Sequence, residues 1–251
     1  MLIDKARTIG TIGGGALEYM VIARARQALR DGLPADTMDV PLGPEIGQCC
    51  GGRVEVSLRV VDDALAARLM ARVEAEAAAR PHVFLFGAGH VGRALARALL
   101  PLPLQVHVID TRPEELSGLP EGVDGRPVAL PEAVVRAAPE GSAFVILTHD
   151  HALDFMIAME ALKRGDSPYV GMVGSRTKRA KFRSWYLAEG GSEAALRRLV
   201  LPIGASALRD KRPEVIAALA AAEILVHTAA WEAEDQGHGP ETDAMLGAAV
   251  D

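Results

Sequence analysis

Residues 82–92, His82-Val83-Phe84-Leu85-Phe86-Gly87-Ala88-Gly89-His90-Val91-Gly92, leave this chain few folds to choose from. A short apolar run meets a Gly-x-Gly-x-x-Gly turn and passes into a helical stretch over residues 93–100. A second apolar strand, 104–109, then ends in Asp110. Strand, glycine turn, helix, strand and acid about twenty residues on are the opening βαβ unit of a Rossmann-type domain. Gly87 allows the tight turn, Gly89 lets backbone N–H groups approach an anion, and Gly92 lets helix and strand pack closely. Asp110 stands where a ribose hydroxyl would be met. The fold does not decide the ligand: the glycines can serve the turn alone, and any phosphate-bearing molecule can use the same helix N-terminus.

With 251 residues the chain can bury a real core, in one large domain or two small ones. Aromatic residues make up only 4%, so the core is built from Ala, Leu and Val, a helix-rich α/β composition that needs neither disulfide nor metal to fold. The net charge of -6 argues against nucleic acid as a partner, because neutralising phosphates takes a basic face. The only two cysteines, Cys49 and Cys50, are adjacent and cannot close a loop, which predicts a reducing, cytoplasmic home. No charged-then-apolar leader and no apolar run of membrane-spanning length are read, so a soluble protein without a membrane partner is expected.

Ahead of the Rossmann unit, residues 8–12 read as a strand ending in Gly13-Gly14-Gly15, with a helix over 16–30 behind it. Three glycines between strand and helix make a candidate second anion cradle. Strands are predicted over 36–42 and, from clean alternation, 53–60. Between them lies Gly43-Pro44-Glu45-Ile46-Gly47-Gln48-Cys49-Cys50-Gly51-Gly52, two thiols and an amide framed by glycines. Thiolates are soft ligands and good nucleophiles, so chemistry is sought here; a turn filled by two small apolar side chains is the plainer alternative. An Ala-rich helix over 62–80 ends at Pro81. The expected architecture is thus α/β: an N-terminal α/β domain over 1–80, a Rossmann-like parallel sheet over 81–229, and a loose tail over 230–251.

Beyond Asp110, a short helix over 131–138 precedes a buried strand over 143–147 that ends in Thr148-His149-Asp150-His151. Carboxyl ends of parallel strands line the ligand crevice, so His149 and Asp150 are candidate ligand contacts. A helix cap with exposed histidines is the alternative, and a metal held by His149, His151 and Asp154 a lesser one. A further strand over 169–173 is followed by Gly174, Ser175 and a basic helix in which Arg176, Arg179 and Arg183 share a face, a third anion-binding corner. Helices are predicted over 193–199 and 212–229.

The order Gly10-Thr11-Ile12-Gly13-Gly14-Gly15, Gly47-Gln48-Cys49-Cys50-Gly51-Gly52, Gly87-Ala88-Gly89-His90-Val91-Gly92, Thr148-His149-Asp150-His151 and Gly171-Met172-Val173-Gly174-Ser175-Arg176 resembles the XdhC/CoxI family of xanthine dehydrogenase accessory proteins. The resemblance implies a chaperone without turnover of its own. It would bind the molybdenum cofactor, as molybdopterin or its dinucleotide form, shield it during sulfuration by a cysteine desulfurase, and assist its insertion into apo xanthine dehydrogenase or a related molybdenum hydroxylase. It also implies a homodimer, and a place near molybdenum for Cys49 and Cys50. Gln48, Gly87, Gly89, His90, Gly92, Asp110, His149, Asp150, Gly174, Ser175 and Arg176 would complete the cofactor site. Family members carry a Gly-Ser-x-Pro-Arg type segment before the first strand, so the N-terminal domain reads as truncated at its start; 205–212 also departs from the family pattern. An NAD(P)-dependent oxidoreductase using His90 or His149, or a nucleotide-sensing module, are the competing readings.

Overall fold

The computed structural model describes residues 1–43, 52–204 and 210–236. They form two compact units, Met1–Glu74 and the chain from Ala75 onward. In the first unit β1 (Leu2–Ile3) pairs antiparallel with β2 (Thr8–Ile9), and α1 spans Gly15–Asp31. Gly32, in the left-handed region at φ 70°, ends α1 by donating its N–H to the Ala28 carbonyl. The ladder of β3 (Ala35–Pro41) and β4 (Arg53–Arg59) sets Thr37 opposite Ser57 and Val40 opposite Val54. Alternation turns one face of β3 inward, ending at buried Val40. Helix α2 (Asp63–Ala78) carries the chain onward.

The second unit runs β5 (His82–Phe86), α3 (His90–Leu99), β6 (Gln105–Asp110), α4 (Pro113–Leu116), β7 (Asp124–Pro127), α5 (Pro131–Ala137) and β8 (Ala143–Ile146). It continues through α6 (His151–Arg164), β9 (Val170–Met172), α7 (Arg176–Ala188), α8 (Glu193–Leu196), β10 (Leu199–Val200) and α9 (Pro213–Gln236). All six strands are parallel, in the order β10-β9-β8-β5-β6-β7. The order reverses between β5 and β8, and Phe86 stands level with both Ile109 and Ile146. That reversal opens a crevice at the carboxyl edge of the two central strands.

Period-two alternation splits the core into two layers. Val83, Leu85, Val108 and Val145 lie with Leu95 of α3 and Ile224 of α9, whereas Phe84, Phe86, Ile109, Phe144 and Ile146 lie with Ile157 of α6 and Phe182 of α7. On the second face, toward the amino ends of the strands, His82 Nδ1 meets His107 Nε2 at 2.9 Å and His107 Nδ1 meets Asp124 Oδ2 at 2.8 Å. The Asp124 carboxylate takes the His107 Nδ1–H, which leaves Nε2 to accept from His82. Burial, then electrostatic repulsion from the neighbouring His107 and Arg126, holds His82 below its usual 6.5.

The structure differs from the sequence expectation at several elements. Leu199, expected to end a helix, opens the edge strand over 199–200; α4 and β7 occupy a stretch to which the sequence assigned no element, and α9 runs past 229 to Gln236. Pro213–Ala233 is also long and apolar enough to span a membrane, contrary to the expectation that no segment is. Its Ala217, Ala220, Ala221 and Ile224 are buried in the layer shared with α3, Thr228 is buried as well, and its Glu223 accepts from Tyr169 Oη at 2.8 Å and from the Gly204 N–H at 3.1 Å. In this fold α9 is a cover helix of the sheet.

Candidate functional site

The crevice begins where β5 runs into its glycine turn. Gly87 sits at φ 120°, and a Cβ there would lie 2.6 Å from the Leu147 carbonyl oxygen and 3.0 Å from Thr148 N, so no other residue lets β5 and β8 end so close together. A Cβ on Gly92 would lie 1.9 Å from the Gly87 carbonyl oxygen. Gly89 is different: its backbone is extended and nothing lies within 4 Å of the position a Cβ would take. It stands as the N-cap of α3 with no side-chain acceptor, so the first-turn amides and the positive end of the helix dipole face open space. His90, the first helical residue, is exposed there.

Asp110, at the end of β6, lies beneath this turn. Its Oδ2 accepts from the Ala88 N–H at 2.8 Å and Arg112 Nη2 at 3.3 Å; Oδ1 accepts from the Arg112 N–H at 3.0 Å and Arg112 Nε at 3.2 Å. Burial works to raise this carboxyl, but the Arg112 guanidinium and the two backbone N–H groups prevail and hold it below its usual 3.8. Arg112 also donates to Glu115 at 3.2 Å, and Glu115 accepts from Arg93 of α3 at 3.1 Å.

The opposite wall comes from the ends of β8 and β9. Asp150 is the N-cap of α6, accepting from the Ala152 and Leu153 N–H groups, while His149 and His151 are exposed. Asp154, fully buried, accepts from Thr148 Oγ1 at 2.7 Å and Thr148 N at 3.1 Å, and forms an ion pair with buried Lys178. Lys178 Nζ donates in addition to the Val173 carbonyl at 2.9 Å. The lysine can fold back in this way because residue 174 is glycine, where a Cβ would come within 2.7 Å of Lys178 Cδ. Ser175 caps α7 through the Lys178 N–H. Of the three arginines expected to share a face, Arg179 donates to the Leu201 carbonyl at 2.9 Å and Arg183 pairs with Glu193; Arg176 is exposed at the start of α7.

Gly87, Gly89, His90, Gly92, Asp110, His149, Asp150, Gly174, Ser175 and Arg176 therefore all lie at the carboxyl ends of β5, β6, β8 and β9. Gly87, Asp110 and His149, with Phe86, Ile109 and Leu153, border a shallow cleft. Gln48, Cys49 and Cys50 lie outside the described residues, as do 205–209 and 237–251. The Gly13-Gly14-Gly15 cradle takes the chain's own carboxylate: Glu18 accepts from Thr11 Oγ1, from Ile12 N at 3.0 Å and from Gly14 N at 3.2 Å. Asp154 is committed to Lys178 and Thr148, and among the described residues no group of His, Cys, Asp and Glu is placed to hold a metal.

Lys178 and Arg112 are neighbours of the candidate site that sequence reasoning missed. Lys178 was hidden in a basic run, although its place three residues after a helix-capping serine is the first-turn position that turns back over a strand end. Arg112 had the clearer signal, two residues past the acid of the fingerprint. The described part of the site fits a phosphate-bearing group, since its uncapped helix N-terminus opens on space that a side chain at Gly89 would fill.

Comparison with known proteins gives the following. Residues 83–224 match the XdhC Rossmann domain, and residues 1–40 match the XdhC and CoxI family. The chain is 28% identical over 226 residues to the uncharacterized protein YqeB of Escherichia coli (strain K12), covering 86% of this chain but only 38% of that protein's length. Its fold is that of a crystal structure described as a xanthine dehydrogenase from Bacillus halodurans, with a TM-score of 0.72 at 17% identity over 92% of this chain and 85% of the other. With its Rossmann unit matched over more than half of its length and its first forty residues matched as well, the chain belongs to the XdhC and CoxI family.

Proposed function

We propose that this protein is an accessory factor that holds the molybdenum cofactor and hands it to xanthine dehydrogenase or a related molybdenum hydroxylase. Family membership supports this reading, and the single structural observation that carries it is the open, uncapped turn at Gly89. The amides of that turn receive the cofactor's phosphate, with His149 and Arg176 at the neighbouring strand ends. Cys49 and Cys50 hold the molybdenum side as soft thiolate donors, shielding it while a cysteine desulfurase acts. Once delivered, the cofactor supplies the redox centre of the target enzyme; this chain contributes binding, orientation and exclusion of water, as a cytoplasmic homodimer.

The test is retention. The protein is mixed anaerobically with released molybdenum cofactor and gel-filtered, and molybdenum and pterin are assayed in the protein peak. Stoichiometric cofactor is expected on the wild type, with little on Cys49→Ala/Cys50→Ala or on Gly89→Ala. An empty wild-type peak overturns the reading.

A further inference from the structure

In a dinucleotide-binding Rossmann domain, the acid at the end of the second strand accepts hydrogen bonds from a ribose diol, which requires vacant acceptor sites. A carboxylate has about four such sites. All four of Asp110's are filled from within the chain, by the Ala88 N–H, the Arg112 N–H, Arg112 Nε and Arg112 Nη2, and the residue is only 5% exposed. From this arrangement we infer that Arg112 is a specificity-determining residue: it closes the ribose position, so that the crevice selects a phosphate monoester over a nucleotide-bearing ligand. The inference rests on the reading that the turn receives a phosphate, and it narrows the ligand to the pterin form without an attached nucleotide.

Arg112 is not a loose side chain that a ribose could push aside. Its guanidinium bridges Asp110 and Glu115, and Glu115 is held in turn by Arg93. Arg93 is seated against Gly118, where a Cβ would come within 2.9 Å of Arg93 Cδ. A ribose would exchange charge-assisted bonds for hydroxyl bonds to the same carboxylate, break the Arg112–Glu115 pair, and leave a guanidinium to be solvated again. Bonds between two charged partners are the stronger ones, so the exchange is unfavourable. The glycine turn is untouched by this closure, and its first-turn amides remain open to a phosphate.

The experiment is calorimetric titration of the full chain with NAD⁺ and NADP⁺, beside Arg112→Ala, Arg112→Gln and Arg112→Ala/Asp110→Asn, with a thermal melt of each variant to establish folding. Neither dinucleotide should bind the wild type measurably. Arg112→Ala and Arg112→Gln each free two acceptor sites on Asp110 and should gain NAD⁺ affinity by about tenfold or more, as expected for two new bonds to a charged group. Asp110→Asn should cancel the gain, an outcome that a purely structural role for Arg112 does not give. Micromolar NAD⁺ binding by the wild type overturns the inference. So does NADP⁺ binding that Arg112→Ala abolishes, which would make Arg112 a 2′-phosphate ligand, and so do folded Arg112 variants with no gain. If the wild type retains no molybdenum cofactor but the Arg112 variants gain NAD⁺, the carrier function fails and the role of Arg112 stands.

Discussion

Replacing Lys178 by methionine keeps the length of its apolar stem and removes the charge that faces Asp154. The carboxylate is fully buried and the lysine side chain only 8% exposed, so water does not screen this pair. In Lys178→Met, Asp154 Oδ1 keeps Thr148 Oγ1 and N, but Oδ2 loses its partner. Breaking one side of a buried pair costs about 3–5 kcal/mol, a large share of the roughly 5–15 kcal/mol that a domain has in total. For a unit of this size each kcal/mol moves Tm by about 2–4 °C, which puts the expected drop at roughly 6–20 °C. The double variant Lys178→Met/Asp154→Leu removes both charges and should recover most of the loss. What remains is the penalty for one donor, the Thr148 N–H, about 1–3 kcal/mol, because the Thr148 hydroxyl keeps the Asp150 carbonyl at 3.0 Å. Urea unfolding followed by circular dichroism measures all three proteins. The reasoning is refuted if Lys178→Met costs less than about 1 kcal/mol, or if the double variant is no more stable than the single one.

Three further outcomes are expected. Gly92→Ala must drive a methyl into the Gly87 carbonyl and should lose several degrees of Tm together with cofactor retention, whereas Gly89→Ala meets open space and should lose retention alone; equal melting temperatures for the two variants would contradict the geometry. Tyr169→Phe removes the phenol that burial and Glu223 push well above its usual value; it should cost about 1.5–3 kcal/mol in chemical denaturation, the worth of a hydrogen bond to a charged partner. Because the His82 pKa is lowered in the folded state, the unfolded chain takes up the proton first: the stability tied to its neutral form is complete above about pH 6.5 and is lost as pH falls below that toward the depressed value. Denaturation between pH 7.5 and 5 should show this loss in the wild type and a flatter profile in His82→Phe.

What could be read in advance was whatever a local pattern dictates. The run of residues 82–110 states strand, turn, helix and strand in consecutive residues, and the structure has them within a few residues of the expected bounds. Strand β7 escaped because Asp124–Pro127 is exposed throughout and lies at the sheet edge, so no apolar alternation marks it. Strand β10 escaped because a two-residue partner of β9 is defined by pairing alone. At the site, spacing placed Asp110 under the turn but could not say that Arg112 would saturate it. Likewise the triple glycine announced an anion site without revealing that Glu18, four residues beyond Gly14, supplies the anion. Such features belong to side chains choosing among partners, and periodicity carries no record of that choice.

The site's position on the two middle strands sets the order in which the protein comes apart. Strands β5 and β8 each have a strand on either side and a core layer on either face, so amide hydrogens over Val83–Phe86 and Phe144–Ile146 should be the last to exchange with solvent. β7 and β10, at the edges, should exchange first. The floor of the crevice is thus the slowest-opening part of the molecule, and a chain whose edge strands have already frayed would still carry a formed binding turn.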